Sequence, residues 1–201
     1  MSRGKFFVLS GGEGCGKSTI LKLLSNDHPQ LIATREPGGT ETGRQIRNIL
    51  LHQHELNLRP LTEVLLFFAD RYQHVCEKIQ PAIDAGQNIG TDRYWMDTYA
   101  YQVYTELGVE DLKQFMTLVR WLKLPDPGIW LLLDIDPVIG LARKHQMNEL
   151  NRMDQQPLEF HQRVRQGFLF LAERVHFPVK IIDASQSIDQ VYREVVDTLQ
   201  L

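Results

Sequence analysis

Short apolar runs alternate with longer amphipathic segments along the whole chain. The apolar runs, each of strand length, cover residues 6–10, 31–34, 88–91, 129–135 and 179–183. Between them, apolar residues recur at the spacing of one helix face, as near the end of the chain in Ile188, Val191, Val195 and Leu199. Strands that alternate with helices favour a parallel sheet covered by helices on both faces. The pattern therefore predicts an α/β fold.

Two other segments have helical spacing. One carries a single apolar stripe made of Val164, Phe168, Leu171 and Val175. The other runs from Thr62 to Ile83 and predicts a long helix, which Pro81 is expected to kink or to end early because proline has no backbone N–H. Ligands of parallel sheets bind at the carboxyl ends of the strands, so the loops after the apolar runs are the expected functional sites.

Composition sets only broad limits. The 201 residues, 43% of them hydrophobic and 23% charged, predict one domain over residues 1–201. A net charge of -3 argues against a nucleic-acid-binding protein. Cys15 and Cys76 have no metal-ligand spacing, so a reducing compartment is expected. The chain has no signal segment and no apolar run near the roughly 18 residues of a membrane span, which predicts a cytoplasmic protein.

The loop after the first strand carries the strongest motif. Residues 11–19 read GGEGCGKST and fit the phosphate-loop pattern G-x-x-x-x-G-K-[ST]. Glycines let backbone N–H groups wrap closely around a phosphate chain, and the helix that begins near Lys17 adds its positive dipole end. Lys17 is predicted to reach the β- and γ-phosphates, and Ser18 to bind Mg²⁺. The predicted phosphate-binding residues are Gly11, Gly12, Glu13, Gly14, Cys15, Gly16, Lys17, Ser18 and Thr19.

Basic and aromatic residues farther along indicate a second phosphate-bearing ligand. Arg44 and Arg47 share one helix face after the stretch TREPGGT. Phe67 and Arg71 are spaced i, i+4, so the ring and the guanidinium lie side by side. An aromatic ring stacks on a base, and an arginine bonds the base edge or a phosphate. The chain lacks the N-K-x-D motif, which argues against a GTPase.

Several stretches resemble, in the right order, motifs of the thymidylate kinase family. They are TREPGGT at 34–40, DRY at 92–94 with AYQ at 100–102, LPDP at 124–127, NRMD at 151–154, and the helix from Phe160-His161 to Gly167-Phe168. The resemblance implies a three-layer P-loop kinase fold, with a five-stranded parallel sheet flanked by helices and a short mobile lid at about 141–157. It also implies transfer of the γ-phosphoryl group of ATP, with Mg²⁺, to dTMP in dTTP biosynthesis, usually by a homodimer.

The resemblance also assigns roles to individual residues. It implies that Phe67 stacks on thymine, that Arg71 and Gln102 bond the base, and that Tyr101 lies near the deoxyribose and helps to exclude a 2′-hydroxyl. It further implies that Arg47 and Arg93 hold the dTMP phosphate and that Glu36 lies near the sugar and the phosphate. Asp97 is also expected on the acceptor side. Asp92 is expected to act through Mg²⁺ together with Ser18.

The transferring phosphoryl group needs positive charge around it, which Lys17 and Arg93 begin to supply. Glu13, Gly14 and Cys15 occupy the variable positions of the phosphate loop, so no arginine stands there. The lid is therefore expected to supply one, from Arg143 or Arg152.

Two residues depart from the family pattern. Ser10 stands where Glu is usual, and Asp97 stands where Ser or Thr is usual after DRY. A carboxylate near the dTMP phosphate is unfavourable unless it is paired or turned away. Asp97 leaves room for a P-loop kinase that acts on another deoxynucleotide or on a deoxynucleoside. Ser10, together with the few basic residues of the lid, leaves room for a nucleotide-binding regulator without catalysis.

Two of the residue roles have structural alternatives. Phe67 lies among Leu65, Leu66 and Phe68 and could be ordinary core. Glu36 could do no more than shape its loop through a salt bridge to Arg44 or Arg47.

Overall fold

The computed structural model describes residues 3–107, 112–146 and 152–201. The strands are β1 (Phe6–Gly11), β2 (Ile32–Arg35), β3 (Ile89–Asp92), β4 (Ile129–Asp134) and β5 (Val179–Asp183). The α-helices are α1 (Lys17–Asp27), α2 (Glu41–His52), α3 (Pro60–His74), α4 (Gln80–Asp84), α5 (Trp95–Thr98), α6 (Leu112–Trp121), α7 (Pro137–Gln146), α8 (Leu158–Ala172) and α9 (Ile188–Leu199). A 3₁₀ turn lies at His54–Leu56, and π-helical turns lie at Val75–Ile79 and Tyr99–Leu107.

The five strands form one parallel sheet in the order β2-β3-β1-β4-β5. This confirms the predicted α/β fold. In the register of the central strand, Leu9 lies opposite Asp92 on one side and opposite Leu131 on the other. Because all strands run the same way, the phosphate loop after β1 and the DRY stretch that begins at the end of β3 lie at one edge of the sheet.

Successive residues of β1 supply two separate apolar cores. Phe6 and Val8 pack in one cluster with helices α3, α6 and α8, whereas Phe7 and Leu9 pack in another with α1 and α9. Side chains of a strand alternate between the two faces of a sheet, so a continuous apolar run is what burial on both faces requires. Helices on both sides of the sheet make the three layers that were predicted.

The long helix continues past the proline that was expected to interrupt it. Residues from Pro60 to Asp84 stay helical, so the expectation that Pro81 ends the helix early is wrong. The backbone changes earlier, in the π turn Val75–Ile79, where the Gln80 N–H bonds the carbonyl of Val75. Proline has no backbone N–H to donate, and its ring needs extra space in the preceding turn. The wider π turn provides that space, so the helix does not end there.

Two glycines let α7 pack directly against the phosphate loop. A Cβ added to Gly14 would lie 1.9 Å from the carbonyl oxygen of Gly140, and one added to Gly140 would lie 2.2 Å from that of Glu13. Neither position has room for a side chain, so this contact fixes the start of α7 beside the loop. In the described ranges, no helix has both the length and the apolar content to cross a bilayer.

Candidate active site

The phosphate loop is folded around the lysine ammonium. Lys17 Nζ donates to the carbonyl oxygens of Gly11 and Gly12, each at 2.9 Å. Gly14 and Gly16 have φ angles of 67° and 94°, in the left-handed region that favours glycine. Helix α1 begins at Lys17, so its unbonded N–H groups and positive dipole end face the loop. The loop thus combines an ammonium, free N–H groups and a positive dipole end, a combination that suits an anion.

A serine and an aspartate lie together at the start of α1. Ser18 Oγ donates to Asp92 Oδ2 at 2.6 Å. The other carboxylate oxygen, Asp92 Oδ1, is buried and has no hydrogen-bond partner among the described residues. In the same ranges no three acidic, histidine or cysteine side chains group as a metal site. Mg²⁺ in phosphoryl-transfer sites commonly takes one or two carboxylates plus phosphate oxygens and water, so this hydroxyl and carboxylate fit it.

A cavity beside the phosphate loop brings the predicted acceptor residues together. Its lining includes Glu13, Glu36, Arg47, Phe67, Arg71, Arg93, Asp97, Tyr101 and Gln102. Pro37, Leu51, Thr98 and Met153 also line it and were not predicted. The residues come from the phosphate loop, the loops after β2 and β3, helices α2, α3 and α5, the π turn after α5, and residue 153. One cavity thus joins side chains that are far apart along the chain.

Arg93 dominates the charged end of this cavity. Its guanidinium donates to Glu13 at 2.8 Å and to Asp97 at 3.4 Å, and it lies 4.9 Å from the centre of the Tyr101 ring. Its backbone φ of 76° is strained for a residue with a side chain. The Leu9 carbonyl accepts its N–H at 2.9 Å, which helps to hold that conformation.

Glu13 is a buried carboxylate held in its charged form. Burial by itself would raise its pKa, but the charges of Arg93 and Lys17 and a hydrogen bond from Tyr101 outweigh burial and lower the pKa to about 2. The Tyr101 hydroxyl donates to Glu13 at 2.9 Å. The phosphate loop and the acceptor cavity therefore share one ion-pair network.

The two residues that depart from the family pattern are partners. Ser10 Oγ donates to Asp97 Oδ2 at 2.6 Å, and the Tyr94 N–H donates to the same oxygen at 3.0 Å. Burial raises the pKa of the Asp97 carboxyl, while Arg93 and Ser10 oppose that rise. The Asp97 carboxylate is thus paired with two hydrogen-bond donors and with Arg93.

At the other end of the cavity, Arg71 belongs to a buried polar network. Its Nε donates to Glu36 at 2.6 Å, and its Nη2 donates to Thr98 at 3.1 Å. His74 Nδ1 lies 2.9 Å from the other oxygen of Glu36. Arg71 Nη1 is buried but has no partner among the described residues, which leaves it a free donor in a residue that lines the cavity.

The alternative partners suggested for Glu36 are therefore wrong. Glu36 pairs with Arg71, not with Arg44 or Arg47. Arg44 is exposed and pairs with Glu41, while Arg47 donates to the Pro37 carbonyl at 3.0 Å and lines the cavity.

Phe67 is a core residue that also reaches the cavity wall. It packs with Leu50 and Leu51 in a small apolar cluster, and it also lines the cavity. Its side chain is 9% exposed. The apolar packing fixes the ring at the wall of the cavity, where a planar group could stack on it.

The structure does not bring the two lid arginines to the phosphate loop. Arg143 donates to the carbonyl oxygens of Ala184 and Ser185, in the loop after β5. Arg152 donates to Glu63 on α3 at 2.6 Å. Part of the predicted lid, residues 147–151, lies outside the described residues, and so does Asn151 of the NRMD stretch.

Several polar residues that support the site were not predicted. Glu63 binds Arg152, His74 binds Glu36, and Asp70 accepts the Gly38 N–H at 2.9 Å. Burial, and next the charge of Glu36, raise the pKa of Asp70 to about 6. Arg165 forms a two-bond ion pair with Asp134, each bond 2.7 Å long. The only signal in the sequence was the presence of charged residues on the apolar-patterned helices α3 and α8.

Comparisons with known proteins match nearly the whole chain. A family model described as thymidylate kinase matches residues 9–195. A thymidylate kinase of Clostridium novyi (strain NT) is 38% identical over 202 residues, which cover 97% of this chain and 98% of that relative. One from Protochlamydia amoebophila (strain UWE25) is 40% identical over 212 residues, with 98% of this chain and 93% of the relative covered. The crystal structure of a thymidylate kinase from Ehrlichia chaffeensis aligns with a TM-score of 0.78 and 27% identity, covering 98% of this chain and 100% of that one.

Proposed function

The chain belongs to the thymidylate kinase family, and we propose that residues 1–201 form one kinase domain that transfers the γ-phosphoryl group of ATP to dTMP, giving dTDP and ADP for dTTP synthesis. The cavity beside the phosphate loop carries this proposal. Phe67, Arg71 and Gln102 line it together with Arg47 and Arg93. A nucleoside monophosphate has matching groups: a flat base with a polar edge, a sugar, and a dianionic phosphate.

On the acceptor side, each role follows from the chemistry of a side chain in this cavity. The Phe67 ring stacks on thymine, and the free Nη1 of Arg71 bonds a carbonyl of the base. Tyr101, fixed by its bond to Glu13, lies along the deoxyribose and excludes a 2′-hydroxyl. Arg47 and Arg93 clamp the phosphate, while Glu36 holds Arg71 and borders the sugar.

On the donor side, the phosphate loop and Lys17 bind the ATP phosphates. Phosphoryl transfer needs two anionic reactants held in line and their charge neutralised, rather than covalent help from the protein. Arg93 suits both reactants, because it lines the acceptor cavity and is bonded to Glu13 of the phosphate loop. This fixed guanidinium would stabilise the charge of the group in transit.

Ser18 and Asp92 would hold Mg²⁺, which neutralises charge on the ATP phosphates when it is bound. The short bond between these two side chains and the unpartnered Asp92 Oδ1 support this assignment. Arg143 and Arg152 remain the predicted lid arginines. Either one must exchange its present carbonyl or carboxylate partner for a phosphate in order to act.

The two alternatives make different demands on the residues. A regulator without catalysis does not need Lys17, Asp92 and Arg93. Their presence favours a kinase, with Lys17 on a loop carbonyl, Asp92 on Ser18 and Arg93 on Glu13. A kinase for another acceptor is favoured only by Asp97, whose carboxylate is bonded to Ser10, to the Tyr94 N–H and to Arg93.

Alanine variants of Lys17 and Arg93 test whether the chain is an enzyme with these roles. Each variant should lower kcat for dTMP phosphorylation by about 10²-fold or more while circular dichroism shows that the fold is kept, although the loss of a positive charge beside Glu13 lowers Tm. Arg174→Ala, a surface arginine, is the matched control and should keep full activity. Near-normal turnover in both site variants would contradict the proposed roles.

We further propose that the enzyme is a homodimer that pairs through α3 and the π turn after it. One face of this segment is exposed and wholly apolar: Leu61, Leu65, Ala69, Tyr72 and Cys76. An apolar stripe of this length marks a protein contact, and the family resemblance makes a second copy its expected occupant. We also expect the protein in the cytoplasm, because Cys15 and Cys76 are free thiols.

A further inference from the structure

A buried carboxylate behind the acceptor cavity is so far without a role in the reaction. Glu63 lies on α3, is only 6% exposed, and is not among the residues that line the cavity. One of its oxygens accepts from Arg152 at 2.6 Å, and the other accepts from the Gln102 side-chain nitrogen at 3.4 Å. Glu63 therefore touches both a residue of the lid and a residue of the cavity wall.

The charge of Glu63 decides which way the Gln102 amide points. Burial raises the pKa of the Glu63 carboxyl, but the guanidinium of Arg152 opposes that rise and favours the carboxylate. A carboxylate can only accept hydrogen bonds. The amide nitrogen of Gln102 must therefore face Glu63, and the amide oxygen is the atom left for the cavity.

The same cavity wall carries an unpaired donor. Arg71 lines the cavity, and its Nη1 lacks a partner in the described part of the chain. Arg71 Nη2 bonds Thr98, and Gln102 follows Thr98 by about one helical turn. Both side chains thus belong to one stretch of the wall, which offers one donor and one acceptor.

The order of donor and acceptor distinguishes pyrimidines. Thymine and uracil carry the O4 carbonyl, an acceptor, beside the N3–H donor, whereas cytosine carries an amino donor beside an N3 acceptor. Arg71 Nη1 and Gln102 Oε1 complement the first pattern and oppose the second. A base with the wrong edge leaves buried polar groups unpaired, which is heavily penalised.

We propose that Glu63 is a specificity-determining positioning residue: by holding the Gln102 nitrogen, it turns the amide oxygen to the cavity and so selects a thymine-type edge over a cytosine-type edge. This inference rests on the proposed function, in which the base of dTMP lies between Phe67, Arg71 and Gln102. Glu63 itself touches no substrate.

The Glu63→Gln variant tests the inference, because an amide of the same shape can donate as well as accept. Gln102 then has no imposed orientation. The ratio of kcat/KM for dTMP to that for dCMP, measured at about pH 8 where the wild-type carboxylate is charged, should fall at least about tenfold. A merely structural role would lower both values together and leave the ratio unchanged, which would overturn the inference.

Two further variants separate the amide orientation from the lid contact. Arg152→Lys alters the lid contact but keeps a positive charge beside Glu63, so the carboxylate still faces Gln102 and the dTMP to dCMP ratio should stay near wild type even if turnover falls. An equal loss of selectivity in Arg152→Lys and Glu63→Gln would overturn the inference.

The exchanged pair Glu63→Gln with Gln102→Glu should restore selectivity, since the amide then holds a carboxylate whose second oxygen faces the cavity. This double variant also provides a test if Glu63→Gln alone does not fold. A dTMP to dCMP ratio that stays low in the folded double variant would contradict the inference. Wild-type protein that does not phosphorylate dTMP would overturn the proposed function and this inference with it. If the wild-type protein phosphorylates dTMP but Glu63→Gln keeps the same dTMP to dCMP ratio, only the role proposed for Glu63 is overturned.

Discussion

Arg71 divides its three guanidinium nitrogens between structure and recognition. Nε is held by Glu36, Nη2 is held by Thr98, and Nη1 has no partner in the described ranges. Removing the whole side chain would leave Glu36 with one partner fewer in a dry site, a costly change in its own right. A smaller change, which keeps the positive charge but removes the planar guanidinium, tests the binding of the base separately from the stability of the site.

Arg71→Lys should raise KM for dTMP at least about tenfold and change KM for ATP little, because lysine keeps the charge beside Glu36 but cannot supply three fixed N–H directions. Steady-state kinetics with each substrate varied in turn measures this. Arg165→Lys, which alters another two-bond arginine pair outside the acceptor cavity, is the control and should leave KM for dTMP unchanged. Equal losses for both substrates in Arg71→Lys would contradict the assignment.

Residues of the site were predictable where they stand in loops after strands. Glycines, lysine and arginine in such positions have few structural uses, so the phosphate loop and Arg93 could be recognised from local sequence. Glu63 and His74 could not, because their partners Gln102 and Glu36 lie far away along the chain. A pairing of that kind exists only after the helices have packed.

Helix α7 and the phosphate loop meet without side chains between them. Gly140→Ala would place a methyl group 2.2 Å from the Glu13 carbonyl oxygen, and a backbone atom cannot rotate out of the way. We expect a loss of about 1–3 kcal/mol in the free energy of unfolding and weaker ATP binding. Urea unfolding and calorimetric titration of ATP measure the two effects.

Gly128→Ala is the matched control for this change, since its added carbon would lie 3.4 Å from the nearest backbone oxygen, that of Phe6. Its stability and ATP affinity should both stay near wild type. If Gly140→Ala is as stable as Gly128→Ala and binds ATP as well, the close contact does not hold the loop.

The strands agree with the prediction to within one residue at each end, because apolar runs buried on both faces of a sheet have clear limits. The π turns Val75–Ile79 and Tyr99–Leu107 were not predicted. An extra residue in a turn changes where side chains point but adds no new apolar pattern, so periodicity alone does not reveal it. The second π turn carries Tyr101 and Gln102, which makes this difference a functional one.

At the scale of the whole molecule, the ion pairs of Glu13 link stability to pH. Its folded-state pKa of about 2 lies below the ordinary value of 4.5. For a carboxyl with a lowered pKa, the added stability is present above the ordinary pKa and is lost as the pH falls towards the folded value, here between about pH 4.5 and pH 2.

Glu13→Gln should therefore be less stable than wild type at pH 7, and the difference should shrink as the pH approaches about 2. Urea unfolding across this pH range measures it. A difference that is constant with pH would contradict the charged, paired state of Glu13.

The apolar stripe on α3 is the proposed contact between two copies of the chain. Leu65→Glu puts a charge at its centre, where the wild-type side chain is 53% exposed, and should convert a dimer to a monomer. Sedimentation velocity or light scattering measures the change. Val138→Glu, at a 56% exposed position on α7, is the control and should leave the dimer intact. A wild-type monomer, or a dimer that survives Leu65→Glu, would contradict pairing through α3.

The central claim is that this chain phosphorylates dTMP, and a coupled assay for ADP release from ATP tests it most directly. Wild-type protein should be assayed with dTMP, dUMP, dCMP and thymidine as separate acceptors. We predict that dTMP is by far the best acceptor and that thymidine is nearly inert, because thymidine lacks the phosphate that Arg47 and Arg93, which line the cavity, are proposed to hold. Turnover of thymidine far faster than that of dTMP, or no turnover of any acceptor, would contradict the account.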